Sequence, residues 1–244
     1  MGEGARLVGV SSYDRYPPQV ASIARVGGLL DPNIERLLGL KPDLVIVYNT
    51  QQELRQRLER AAIPSYVYET RDLSDITRTV RAVGARIGSA GAADRLAAKM
   101  ESDLANIRGS VSGRPRVKVL LVFGRDAGSL GHIDASGGYG FLHDMLEVAG
   151  GDDVFADIKQ QSVQATTEMI LSRRPDVIVE LRYGDSAKSL DATRELRAWD
   201  ALSSVPAVRN HRVHLLVGDE FVVPGPRVVD ATRKLAQALH PAAR

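Results

Sequence analysis

Two glutamates in matching surroundings are the residues of this chain that most invite a chemical role. Glu35 opens Glu35-Arg-Leu-Leu-Gly-Leu-Lys-Pro42-Asp43-Leu-Val-Ile-Val47, and Glu168 opens Glu168-Met-Ile-Leu-Ser-Arg-Arg-Pro175-Asp176-Val-Ile-Val179. In both, the acid precedes Pro-Asp by seven positions, and a β-branched run follows. The copies lie about half a chain apart, far beyond the period of a solenoid. Two related α/β lobes account for the duplication, each contributing one carboxylate. A single Glu in the first turn of a helix needs no function, because it favours the helix macrodipole. Two at equivalent positions of a duplicated unit point to a paired docking face for a symmetric partner.

A second group of polar and aromatic residues follows predicted strands: Tyr13, Tyr48, Arg182, Tyr183 and Asp219. Ligands in α/β folds collect beyond the carboxyl ends of strands. Aromatics are scarce here, with four Phe, seven Tyr and one Trp, so tyrosines in such places are informative. They sketch a cleft with aromatic walls and a few polar anchors, which suits binding better than catalysis.

Other chemistries find little support. There is no Cys, which removes disulfides and thiolate metal sites, and no Gly-x-Ser-x-Gly nucleophile motif. The five histidines are dispersed. His211 and His214 flank a strand start with spacing that places them on opposite faces, so no metal site is expected. Ser136-Gly-Gly-Tyr-Gly140 precedes a predicted helix and offers backbone amides for an anion. It lacks the Lys-Ser/Thr of a P-loop. It carries the rival reading, a cytosolic α/β enzyme holding a phosphate-bearing cofactor. The formal net charge of +2 and the absence of a basic run give no footprint for nucleic acid.

The elements that must position these residues read as follows. Strands are expected near residues 6–12, 44–48, 65–68, 117–123, 177–180 and 212–217. Tyr13 to Pro18 is a loop. Asp31-Pro32 opens a helix with Asp as N-cap and Pro at the first helical position. Leu44 to Tyr48 is a continuous apolar strand of the kind buried on both faces. Gln52 to Ala61 is a second helix, and Ser74 caps a third through about Ile87. Residues 91–111 form one long helix with Ala93, Leu96, Ala97, Met100, Leu104, Ile107 and Val111 at helical period. Gly124 to Gly140 is a Gly-rich loop, and Pro226 opens a C-terminal helix. The expected organisation is an N-terminal lobe over 1–90, a linker helix over 91–113 and a C-terminal lobe over 114–244. No apolar stretch reaches the roughly 18 residues that span a bilayer. The chain opens Met1-Gly-Glu-Gly-Ala-Arg without a leader pattern, so it is expected to be cytosolic or to begin inside a longer precursor.

These segments resemble the substrate-binding proteins of ABC importers that take up vitamin B12, siderophores and haem. Val8-Gly-Val-Ser-Ser-Tyr-Asp-Arg-Tyr-Pro-Pro-Gln19 is similar to the N-terminal segment of the vitamin B12-binding members. Leu40-Lys-Pro-Asp-Leu-Val-Ile46, Leu146-Glu-Val-Ala-Gly-Gly151 and Pro224-Gly-Pro-Arg227 resemble motifs shared more widely. The likeness covers nearly the whole chain. It implies the class III periplasmic-binding-protein fold: two Rossmann-like α/β lobes joined by one long rigid helix, with ligand between them. It implies that Glu35 and Glu168 meet arginines on the two subunits of a membrane ABC permease dimer. Tyr13, Tyr48 and Asp219 occupy positions that line the B12 site, with Tyr48 where related proteins carry a tryptophan. The protein would be an extracytoplasmic monomer, periplasmic or membrane-associated, with cobalamin or another metal chelate as ligand and no resident cofactor. Departures point toward a ferric siderophore or haem as the alternative ligand. Glu220, Val222 and Val223 replace an aromatic and basic stretch, and Gln160, Gln161 and Ser162 precede the second repeat without a tryptophan. The resemblance also implies that the family's first strand and helix precede Met1.

Overall fold

The computed structural model describes residues 1–187 and 191–241, and the chain divides into two compact units. The first comprises Met1–Glu69 and Thr79–Asp94, the second Thr70–Arg78 and Arg95–Arg244. These boundaries do not follow a 90/91 and 113/114 division: most of the long helix lies in the second unit.

In the first unit, β1 (Gly9–Val10) pairs in parallel with β2 (Ala24–Arg25). After α1 (Ile34–Gly39) comes β3 (Val45–Tyr48), and after α2 (Gln52–Arg60) comes β4 (Ser65–Tyr68), again a parallel pair. The core here is small: Leu37 from α1, Val47 from β3, and Leu54 and Leu58 from α2. β3 is not buried on both faces as its composition suggests. Ile46 is 43% exposed, because β3 and β4 form a two-stranded sheet with one covered face. The start of α1 also differs. Pro32 is held in a bridge to Gly27, and the Asp31 carboxylate accepts from Gly28 N–H, so neither residue enters the helix. Asn33 caps it instead.

Two helices cross the division, α3 (Leu73–Arg86) at Arg78 and α4 (Ala90–Val111) at Asp94. The α3 cap is Asp72 rather than Ser74. Its carboxylate accepts from Asp75 N–H at 2.9 Å and from the Ser74 hydroxyl at 2.7 Å. A carboxylate one residue outside the first turn reaches the third helical N–H, and a hydroxyl inside that turn does not. Along α4, Met100, Ile107 and Val111 enter the second unit's core, as the helical period predicts. Among the described residues, no helix is long and apolar enough to cross a membrane.

The second unit is built on β5 (Val117–Gly124), followed by β6 (Ile133–Ser136), α5 (Phe141–Val148), β7 (Gly151–Asp153) and β8 (Ser162–Ala165). Then come α6 (Thr167–Arg173), β9 (Val177–Arg182), α7 (Ala192–Arg197), α8 (Pro206–Arg209), β10 (Val213–Val217) and α9 (Val228–Leu239). Strand order is β10-β9-β5-β6-β8, with β7 also on β5. β10, β9, β5 and β7 are parallel, whereas β6 runs antiparallel to both of its neighbours, β5 and β8. The expected Gly-rich loop therefore contains a strand, since Ile133 and Ala135 are buried and pull the segment into the sheet between β5 and β8. Side chains alternate between two cores, as period-two geometry requires. Val119, Leu121, Val177, Val179 and Leu181 pack with α9, whereas Leu120, Val122 and Ile178 pack with Trp199.

That second face also holds a charged cluster. Glu180 shares register parity with Ile178 and is fully buried beside Trp199. Arg125 Nε and Nη2 donate to Glu180 Oε2 at 3.0 and 2.9 Å, and Trp199 Nε1 donates to the same oxygen at 2.8 Å. Glu195 pairs with both Arg125 and Arg182 at 2.8 Å. Two arginines thus balance two glutamates. Removing one partner of such a set leaves a buried uncompensated charge, which costs about 3–5 kcal/mol. Glu180→Ala is expected to lower unfolding free energy by about that amount in urea denaturation. A loss below about 1 kcal/mol would show that the cluster rearranges without cost.

Candidate functional site

The duplicated segments fold alike. Asn33 Oδ1 accepts from Arg36 N–H at 2.9 Å, and Thr166 Oγ1 accepts from Met169 N–H at 3.2 Å. Each cap fixes a helix start one residue later, so Glu35 and Glu168 both become the second helical residue and both are exposed. Hydrogen bonds from its own backbone N–H and from the hydroxyls of Thr166 and Thr167 hold the Glu168 carboxyl below the usual carboxylate range. Leu37 and Ile170, at equivalent places, anchor the two helices by burial. Lys41 and Arg174 end the segments in left-handed conformation, with φ of 48° and 51°. Each lobe therefore presents its carboxylate from a capped helix pinned to its own core.

The first unit carries two of the three expected ligand residues. Tyr13 lies in the turn after β1 and is 72% exposed. Its ring sits on Gly28, where an added Cβ would stand 2.7 Å from the ring. The turn is fixed by Arg25 Nη1, which donates to the carbonyls of Ser11 and Asp14 at 2.9 and 2.6 Å. Tyr48 ends β3 with its ring edge-on to Tyr68, centroids 5.2 Å apart. Burial pushes the Tyr68 hydroxyl up, helped by neighbouring Tyr48 and Asp14. Gln51 accepts from Tyr48 N–H at 3.2 Å and donates to the Leu29 carbonyl at 3.0 Å. That bond ties Tyr48 to the turn bearing Leu29 and Leu30, which are 46% and 95% exposed. Sequence reasoning passed over these leucines. The signal was present, a Leu-Leu pair set in a turn between Gly27-Gly28 and Asp31-Pro32.

The second unit carries Asp219, just beyond β10. Its Oδ1 accepts from Gly184 N–H at 2.8 Å, and Gly218 N–H donates to the Arg182 carbonyl at 2.9 Å. The carboxyl ends of neighbouring parallel strands β9 and β10 are thereby stitched together. Tyr183, the residue after β9, is 37% exposed. Arg182 does not belong to this surface, because its side chain turns into the buried cluster to meet Glu180 and Glu195.

Two of the amides in the Gly-rich segment that the rival reading would use are taken by backbone carbonyls. Gly137 and Gly138 donate to the carbonyls of Gln161 and Ile158 at 3.4 and 2.8 Å. A Cβ at Gly138 would lie 2.0 Å from the Ala156 carbonyl oxygen, so the glycine permits backbone-on-backbone packing. Ser136 is fully buried. His132 lies on the surface, where its hydrogen bond with Asp126 raises its pKa. His214 is lowered by burial, then by Arg212. Among the described residues, no group of three or more His, Cys, Asp or Glu could hold a metal ion.

The chain is similar to known proteins in sequence and in fold. A family profile described as periplasmic binding protein matches residues 1–219. The vitamin B12-binding protein of Salmonella typhimurium is 28% identical over 239 residues, spanning 97% of this chain and 84% of that protein. An uncharacterized ABC transporter substrate-binding lipoprotein of Bacillus subtilis is 28% identical over 249 residues, spanning 99% and 75%. The solved periplasmic vitamin B12-binding protein of Vibrio cholerae superposes with a TM-score of 0.80 at 25% identity, covering 98% of this chain and 89% of that one.

The Asp219 to Gly184 bond gives a stability test. Asp219→Ala is expected to lower unfolding free energy by about 1 kcal/mol, whereas Asp219→Asn, which keeps an acceptor oxygen, stays near wild type. Equal losses in thermal denaturation would show that the carboxylate charge, and not the bond, matters.

Proposed function

Since this chain belongs to the periplasmic binding protein family, we propose that it is the substrate-binding subunit of an ABC importer and captures cobalamin or a related corrinoid. The observation that carries this reading is the near full-length likeness to proteins named for vitamin B12 binding, in sequence and in solved structure. In this reading Tyr13 and Tyr48 pack against the ligand, and Asp219 accepts a hydrogen bond from its polar periphery. The exposed, braced aromatic surface of the first unit supports that role, since rigid rings lose little entropy on binding. The protein works as a monomer on the extracytoplasmic side, performs no chemistry on its cargo and hands it to a membrane permease dimer. Glu35 and Glu168 dock to that permease, one carboxylate per lobe.

Calorimetric titration with cyanocobalamin tests the ligand. One-to-one binding at micromolar or tighter, about −8 kcal/mol or better, is expected. The lone tryptophan, Trp199, is fully buried in the charged cluster, so heat is the better readout than its fluorescence. Absence of binding to cyanocobalamin together with saturable binding of haemin or a ferric siderophore would replace the corrinoid assignment.

Docking is tested separately. Glu35→Ala combined with Glu168→Ala is expected to weaken permease binding about threefold or more and to flatten its dependence on salt. Affinity for cyanocobalamin should not change. A parallel collapse of ligand affinity would defeat the division of roles.

A further inference from the structure

Each copy of the duplicated segment carries a second charge for which docking through glutamates alone has no use. Lys41 stands two residues after α1, just past its cap Leu40, and Arg174 directly follows α6; each is followed by proline. Both have φ near +50°. Glycine takes that conformation freely, whereas a residue with a Cβ pays about 1 kcal/mol. Both side chains are exposed, and neither makes an ion pair or side-chain hydrogen bond with any described residue. The neighbouring Arg173, by contrast, is paired with Asp157 at 2.7 Å.

The backbone at both positions is held. Lys41 N–H donates to the Leu38 carbonyl and Arg174 N–H to the Ile170 carbonyl, each at 3.0 Å. Pro42 and Pro175 fix the next φ. Each cation therefore leaves a rigid chain reversal in a set direction. Glu35 to Lys41 and Glu168 to Arg174 are both six residues, about 9 Å along a helix axis. The macrodipole favours a cation after a last turn, but glycine would satisfy the backbone there with less strain, and neither copy uses it.

Resting on the docking role of Glu35 and Glu168, we propose that Lys41 and Arg174 complete two matched docking surfaces, each presenting an anion and a cation about 9 Å apart along a helix axis. The partner is the membrane permease, each of whose subunits presents a basic and an acidic residue at the same spacing. A mixed pair does what a lone carboxylate cannot: it opposes inverted placement, because turning the contact end for end sets like charges together. Prepaid backbone order makes each exposed contact worth more than one between flexible side chains.

The test measures binding of the intact protein to its permease in lipid nanodiscs, with cyanocobalamin affinity and melting temperature measured alongside. Three double variants are compared: Glu35→Ala with Glu168→Ala, Lys41→Gly with Arg174→Gly, and Lys41→Glu with Arg174→Glu. The glycine variant keeps the left-handed backbone and relieves its strain, so a purely structural role predicts unchanged docking and an equal or higher melting temperature. The proposal predicts permease affinity lowered about threefold or more by glycine, and about tenfold or more by charge reversal, with ligand affinity unchanged. If the glutamate variant weakens docking and both cation variants bind like wild type, this proposal fails while the docking reading stands. If the glutamate variant also binds like wild type, both fail.

Discussion

A parallel strand buried on both faces can carry charge only if that charge is neutralised where it stands. β9 is buried along its whole length and still ends in Glu180-Leu181-Arg182. The fold meets the constraint by bringing Arg125 from the end of β5, Glu195 from α7 and the Trp199 indole to the same place. The cluster does more than cancel charge. Arg125 also binds the carbonyls of Asp126, Ser129 and Glu195, and Glu195 accepts from Gly128 N–H. Loops beyond the strand ends are thus tied to the sheet that must present them. The carbonyl of Arg182 in turn receives Gly218 N–H, next to Asp219. Asp219 is thus braced through backbone that the buried cluster holds.

The first unit reaches a similar end by lighter means. Its core is only a few leucines and valines, and its sheets have two strands each. Order in its exposed turns comes from side-chain bonds to backbone: Arg25 to the Tyr13 turn, and Gln51 between Tyr48 and Leu29. The result is aromatic and leucine surface left in the open without the floppiness that would tax binding. Apolar area kept exposed on braced loops is surface available to a partner or ligand.

The duplicated helix shows how an exposed charged element is made from little material. An N-cap, a buried anchor and a proline stop leave α1 with six residues and α6 with seven. So short a helix is marginal alone and takes its stability from the anchor. Glu35 and Glu168 are left exposed at the two helix starts.

Much of this was legible in the chain itself. The two Glu…Pro-Asp copies, the helical period from Ala93 to Val111, and the C-terminal face of Val228, Ala231, Leu235 and Leu239 all fold as their patterns dictate. Local periodicity, capping chemistry and proline act within a few residues, so sequence alone determines them. The sequence also showed which carboxylates are equivalent. What it left undecided depends on partners far away in the chain. Arg182 follows a strand like a surface anchor, and only Glu195 and Glu180 turn it inward. Ser136 to Gly140 reads as an anion loop until the carbonyls of Gln161 and Ile158 claim the amides of Gly137 and Gly138. Asp31-Pro32 has the chemistry of a helix start, and a bridge to Gly27 takes it away. Charges and backbone donors go to whichever complementary group the fold brings nearest, and that choice is made in three dimensions.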